Sequence, residues 1–177
     1  GAAAFGCGTW AAHFISMLGF NPHMPLAYDL RATLLSIVVA VAGSTLGLNL
    51  LLTPGRNWRG ALATGLTLAA TVGAMHFIGM SGVHAGGMLH YDYSYGLASL
   101  PVGAVIFVIA YWAVPNLERF RQRTIGGLLL ACGILALHFT AMAAVTVEPD
   151  MNMPLPANAL QNQSMALGVA AVTLIIL

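Results

Sequence analysis

The sequence predicts an all-α integral membrane fold of six transmembrane helices, arranged as three helical-hairpin repeats in a pseudo-threefold bundle. Three observations carry this expectation. Hydrophobic residues make up 59% of the chain and charged residues 6%, with no lysine, where a soluble domain carries about 25% charge. Six apolar stretches are each long enough, at about 20 residues, to cross a bilayer. The segments Trp10-Ala-Ala-His13-Phe14-Ile-Ser-Met17, Gly73-Ala-Met-His76-Phe77-Ile-Gly-Met80 and Leu135-Ala-Leu-His138-Phe139-Thr-Ala-Met142 repeat His-Phe-x-x-Met at intervals of 63 and 62 residues.

The first span, from about Ala2 to Phe20, carries His13 and is a true span, since neither a charged leader nor a cleavage site accompanies it. The second, Leu30 to Thr53, presents Gly43 and Gly47 as a Gly-x-x-x-Gly face, suited to ordinary helix packing or to a homodimer contact. The third, Gly60 to Val83, carries His76, and the fourth, Tyr95 to Val114, has Pro101 near its start, where it kinks the helix or occupies its first turns. The fifth, Ile125 to Val147, carries His138, and the sixth runs from Leu160 to Leu177. A bilayer offers no water to backbone groups, so spans this uniformly apolar are helices rather than barrel strands. The whole chain, 1–177, reads as one domain with repeats at about 1–53, 60–114 and 125–177. Because it begins without methionine and stops inside an apolar run, a fragment of a longer protein is expected.

Two connections, 54–59 and 116–123, hold five of the six arginines. By the positive-inside rule these loops and both termini face the cytoplasm. The opposite connections contain four of the five acids, His23, His84 and His90, Met24, Met88, Met151 and Met153, and Tyr91, Tyr93 and Tyr95, the aromatic rings serving as interfacial anchors. A formal charge of +1 excludes a basic nucleic-acid surface. Cys7 and Cys132 form neither a disulfide framework nor a Cys-x-x-Cys site; each precedes a repeat histidine by six residues and lies off the histidine face.

An ionisable side chain within a span is expensive and by default functional. Each repeat histidine lies seven to nine residues before the outer end of its span, about 10–13 Å deep at 1.5 Å per residue, so the three rings share one depth. Residues four apart share a helix face, which pairs His13 with Met17, His76 with Met80 and His138 with Met142. These six residues are the expected metal ligands. Three imidazoles suit copper, zinc or iron, and thioethers favour Cu(I); copper is the expected ion, with zinc as the alternative. His23, His84 and His90 have no common register and read as solvated loop residues or a weaker second site.

The motif Ala-Met75-His76-Phe77-Ile-Gly-Met80, tripled across six spans, resembles the MHYT domain, a bacterial membrane sensor module named for a Met-His-Tyr-Thr motif. Tyr28-Asp29-Leu-Arg-Ala-Thr-Leu-Leu-Ser36 also resembles the segment that opens a return helix in that family. Departures are Ala12 and Leu137 in place of the motif methionine, phenylalanine in place of tyrosine in all three copies, and threonine kept only as Thr140. The resemblance implies an input domain that senses a diatomic gas (oxygen, nitric oxide or carbon monoxide), metal or redox state through copper. It further implies a fused cytoplasmic output, such as a GGDEF/EAL module of cyclic di-GMP turnover or a kinase; no catalytic residue is expected in this segment itself. Two other classes stay open. A copper transporter or channel would need further polar sites in the inner halves of the spans, and a heme redox protein, less expected, would leave the third histidine unexplained.

Overall fold

The computed structural model describes residues 1–53, 55–113, 120–150 and 154–176. Pro54, Glu118 and Arg119 of the arginine-bearing loops, Met151, Met153 and Leu177 lie outside the described residues. Six helices follow one another: α1 (Ala2–Gly19), α2 (Leu30–Leu52), α3 (Trp58–Ser81), α4 (Tyr93–Ala113), α5 (Phe120–Met142) and α6 (Asn162–Ile176). Helices α2 to α5 are long and apolar enough to cross a membrane; α6 is a shorter apolar helix, and α1 is 18 residues long. Leu34, Val38, Leu46, Leu66, Val105 and Leu128 stand exposed along these helices. An apolar exterior of this extent belongs in lipid, and the chain is a multi-pass membrane domain.

The helices start where the sequence supplies acceptors for orphan amides. Asp29 caps α2 by accepting from Ala32 N at 2.8 Å, and Asn57 caps α3 by accepting from Gly60 N at 2.8 Å. Asp92 precedes α4, and its carboxylate accepts from Ser94 N at 2.8 Å. Helix α4 continues through Pro101, well beyond its first turn. Neighbouring helices approach closely at small residues: a side chain at Gly43 would strike Thr71, one at Gly47 would strike Leu68, and one at Gly65 would strike Val108 and the Ala104 carbonyl. The Gly-x-x-x-Gly face of α2 is therefore spent on α3 within the chain. The core runs through Trp10, Phe14, Met17, Leu68, Met75, Phe107 and Leu137.

The departure from an all-helical reading lies at the end opposite Arg56, Arg59, Arg121 and Arg123. There the three connections form a five-stranded antiparallel sheet, ordered β4-β3-β2-β1-β5, from β1 (Leu26–Tyr28), β2 (Val83–Ala85), β3 (Gly87–Tyr91), β4 (Val145–Pro149) and β5 (Leu160–Gln161). The fifth span accordingly ends at Met142 and not at Val147. Val145-Thr-Val-Glu-Pro149 is β-branched and pairs with β3, Tyr91 opposite Val145 and Leu89 opposite Val147. Strand β1, from the α1–α2 connection, is held between β2 of the α3–α4 connection and β5 of the α5–α6 connection, and α6 itself packs against α1. A backbone bond recurs in the same place twice: Asp29 N donates to Gly82 O at 2.7 Å, and Asp92 N donates to Ala144 O at 2.8 Å. In each case an aspartate opening one return helix is tied to the residue six past the histidine of the next hairpin.

Candidate metal centre

Helices α1, α3 and α5 bring His13, His76 and His138 together, all three buried. The Nδ1 atoms form a nearly equilateral triangle: 3.2 Å from His13 to His138, 3.2 Å from His76 to His13, and 3.3 Å from His138 to His76. The rings stand edge to face, with centroids 5.0 to 5.2 Å apart. Among the described residues this is the one cluster of histidine, cysteine or acidic groups arranged to hold a metal.

Hydrogen bonding alone leaves this triangle unsatisfied. Each neutral imidazole presents at its Nδ1 either one N–H or one lone pair. Whatever the tautomers, at most two of the three contacts can pair a donor with an acceptor, and the third sets lone pair against lone pair or N–H against N–H. A cation facing three lone pairs removes the conflict. The centre of the triangle lies about 1.9 Å from each nitrogen, beside the ~2.0–2.1 Å of a Zn–N bond. The residues present therefore fit a small transition-metal ion.

The methionines follow their histidines by one turn, toward the sheet. Met17 and Met80 are buried, and Met142 is half-buried against the same core. The loop histidines are not gathered. His23 sits before β1 with a positive φ of 61°, His84 is on β2, and His90 on β3 pairs with Glu148 at 3.3 Å, both side chains largely exposed. Cys7 and Cys132 are free and lie outside the cluster.

Three features around the triad were not legible in the motif. His13 Nε2 is buried without a hydrogen-bond partner. A Cβ at Gly79 would lie 2.7 Å from that nitrogen, so only glycine leaves room for the ring. The available signal was size: the third residue after each histidine is Ser16, Gly79 or Ala141, different in identity yet always small. Second, Phe14 is fully buried and meets Tyr28 edge to face at 5.9 Å, whereas Phe77 is 39% and Phe139 60% exposed. Burial pushes the Tyr28 phenol up to about 12, and Tyr91 also upward. Third, a cavity of about 300 Å³ opens beside His76, walled by Phe77, Leu97, Ala141, Ala144 and Val145.

Comparisons with known proteins identify the chain's family. The family model MHYT, described as a bacterial signalling protein N-terminal repeat, matches residues 6–65 and 70–127; His13 falls in the first match, His76 in the second, and His138 after both. An uncharacterized signaling protein of Caulobacter vibrioides is 30% identical over 97% of this chain and 21% of its own length. The cyclic di-GMP phosphodiesterase NbdA of Pseudomonas aeruginosa is 35% identical over 90% of this chain and 21% of its own length. The bifunctional diguanylate cyclase/cyclic di-GMP phosphodiesterase MucR of the same organism is 29% identical over 100% of this chain and 27% of its own length. The chain thus spans about a fifth to a quarter of these relatives. No solved structure matches it. Two family repeats covering most of the chain, with a buried histidine at one register in each, make it a member of the MHYT family.

Proposed function

We propose that this domain is a metal-binding membrane sensor, copper being the ion, that detects a diatomic gas or the redox state and controls a cytoplasmic output such as cyclic di-GMP turnover. The observation that carries the reading is the buried Nδ1 triangle, which an ion satisfies and hydrogen bonds do not. His13, His76 and His138 would hold the ion, with Met17, Met80 and Met142 as softer donors on the sheet side; thioethers favour Cu(I) over zinc. Nitrogens 3.2 Å apart argue against heme between two of these histidines, because axial ligands on opposite faces of a macrocycle are separated by two metal–ligand bonds, about 4 Å. When bound, the ion supplies a redox-active centre with affinity for small π-acceptor gases. The protein fixes three rings from three helices at one point. It also excludes water through Phe14 and Met17, and it couples ring positions to helix tilt.

The output assignment rests on the names of NbdA and MucR, which concern cyclic di-GMP. All six helices are taken to span the inner membrane as three hairpins about a pseudo-threefold axis. Arg56, Arg59, Arg121 and Arg123 lie at the end opposite the sheet, against Arg31 alone at the sheet end, and this excess supports cytoplasmic termini.

The test is metal content. Purified in lipid, the wild type should retain about one copper or zinc ion per chain. His13→Ala, His76→Ala and His138→Ala should each lower occupancy at least tenfold while the protein still inserts, since metal affinity depends on a complete ligand set. Wild-type occupancy in all three variants would make the histidines structural and remove the sensor's site.

A further inference from the structure

The cavity beside His76 has a counterpart in the first hairpin that is filled. Its wall contains His76, Phe77, Tyr91 and Asp92, which stand 63 residues after His13, Phe14, Tyr28 and Asp29. In the first hairpin Phe14 is 0% and Tyr28 1% exposed, and their rings pack together. In the second, Phe77 is 39% and Tyr91 40% exposed, and the space they leave is the cavity. The same residue pair thus plugs the His13 side of the triad and opens the His76 side.

The character of the space follows from its neighbours. Ala141 and Ala144 are buried and small. The one acid, Asp92, turns its carboxylate to Ser94 N at the start of α4, which leaves an apolar chamber with the His76 ring as its imidazole wall. His76 both lines the chamber and turns its Nδ1 to the triad. Tyr93 and Leu97, both exposed, stand at the rim, at the sheet end of α3, α4 and α5. A sealed apolar cavity of about 150 Å³ stays dry and binds xenon or benzene; this one, about 300 Å³, has the same apolar lining but is open at the rim, where Phe77, Tyr91, Tyr93 and Leu97 are exposed and a solute can enter.

We propose that this cavity is a binding chamber for a small, uncharged, apolar solute taken from the sheet-side leaflet, and that its occupancy is felt at the triad through His76. An apolar wall admits such a solute and disfavours water and ions, which would lose their hydration there. The chamber's physiological guest depends on the sensor reading above; the chamber itself does not.

Xenon is the probe, applied to the metal-free domain in lipid nanodiscs with histidine-ring NMR as the readout. Xenon should shift the His76 ring resonances saturably and more than those of His13, whose side of the triad is plugged. Ala144→Phe, which fills the chamber, should abolish the shift. Leu97→Trp, at the exposed rim and so least able to disturb folding, should weaken it at least fivefold. No saturable shift in the wild type, an equal shift at His13, or a full shift retained in Leu97→Trp would each overturn the proposal. Failure of the sensor reading would show as wild-type metal occupancy in all three histidine variants and would leave the xenon result standing.

Discussion

Gly79 illustrates how a residue without a side chain controls one that has chemistry. A methyl group there would sit 2.7 Å from His13 Nε2, and the ring, also flanked by Phe14, has nowhere to retreat except toward the other two imidazoles. Gly79→Ala should therefore lower metal affinity about tenfold or more, the range seen when support behind a metal-bound histidine is altered. Gly127→Ala, where a Cβ would meet nothing within 4 Å, is the control and should leave affinity unchanged. Equal binding isotherms for the two variants would show that the His13 ring is not held from behind. Tyr28 supports a second expectation. Its buried hydroxyl has no partner, so Tyr28→Phe should stabilise the domain by about 1 kcal/mol, the lower end of the cost of an unsatisfied buried group. The pH dependence has a definite sign. An unfolded tyrosine titrates near 10, whereas Tyr28 in the folded protein titrates near about 12. Between these values the unfolded chain binds fewer protons, so this contribution is intact below pH 10 and is lost as pH rises toward 12. Thermal unfolding of Tyr28→Phe from pH 9 to 12 should accordingly fall less steeply than that of the wild type. At this scale the histidines were legible because an imidazole in an apolar run is conspicuous. Gly79 was hidden because a constraint on size does not preserve identity across Ser16, Gly79 and Ala141.

For the helices, span boundaries read from hydropathy fall within two residues of the structure at most ends. The largest misses are at the two ends of α5, which begins at Phe120, so that Arg121 and Arg123 lie in its first turn and not in a loop, and which stops at Met142, since the apolar Val145 to Val147 belong to β4. Hydropathy does not distinguish a buried strand from the last turn of a span. The sheet itself was out of reach: its strands are two to five residues long and pair across three separate connections, a non-local arrangement that no single segment announces. A usable sign was present, since Tyr28-Asp29 and Tyr91-Asp92 recur at 63 residues and each aspartate marks the start of a return helix. The contact between α2 and α3 supplies the test at this level. Gly47 faces the fully buried Leu68, so Gly47→Leu should destabilise the folded domain by about 1–3 kcal/mol through overpacking. Its oligomeric state, followed by light scattering, should not change. Dissociation of a dimer at unaltered thermal stability would instead assign the Gly43–Gly47 face to an intermolecular contact.

The domain as a whole is a set of hairpins fastened differently at its two ends. Its orientation can be checked in a variant lacking Cys7 and Cys132. A cysteine at Trp58, exposed at the arginine end, should be unreactive to an impermeant reagent added outside intact cells. One at Met88, exposed on β3, should react; the reverse pattern would invert the topology. The recurrence of the histidine motif could be read from the sequence, but the unequal use of its copies could not, since Phe14 and Phe77 are the same residue in the same register and only their neighbours make one a plug and the other a wall. The sheet carries a mechanical consequence. Strands from all three connections are laced together there by backbone hydrogen bonds, while the arginine end is joined by side-chain packing across α2, α3 and α4 at Leu51, Ala61 and Tyr111, with Asn57 N donating to the Tyr111 hydroxyl at 3.2 Å and the Arg56 guanidinium 4.3 Å from the Tyr111 ring. His76 lies five residues from the sheet end of α3 and eighteen from the other end, or about 8 Å against about 27 Å at 1.5 Å per residue. A helix clamped at the sheet and nudged at its histidine behaves as a lever with a short input arm. A shift of half an ångström among the imidazoles would emerge as about 2 Å at the arginine end of α3.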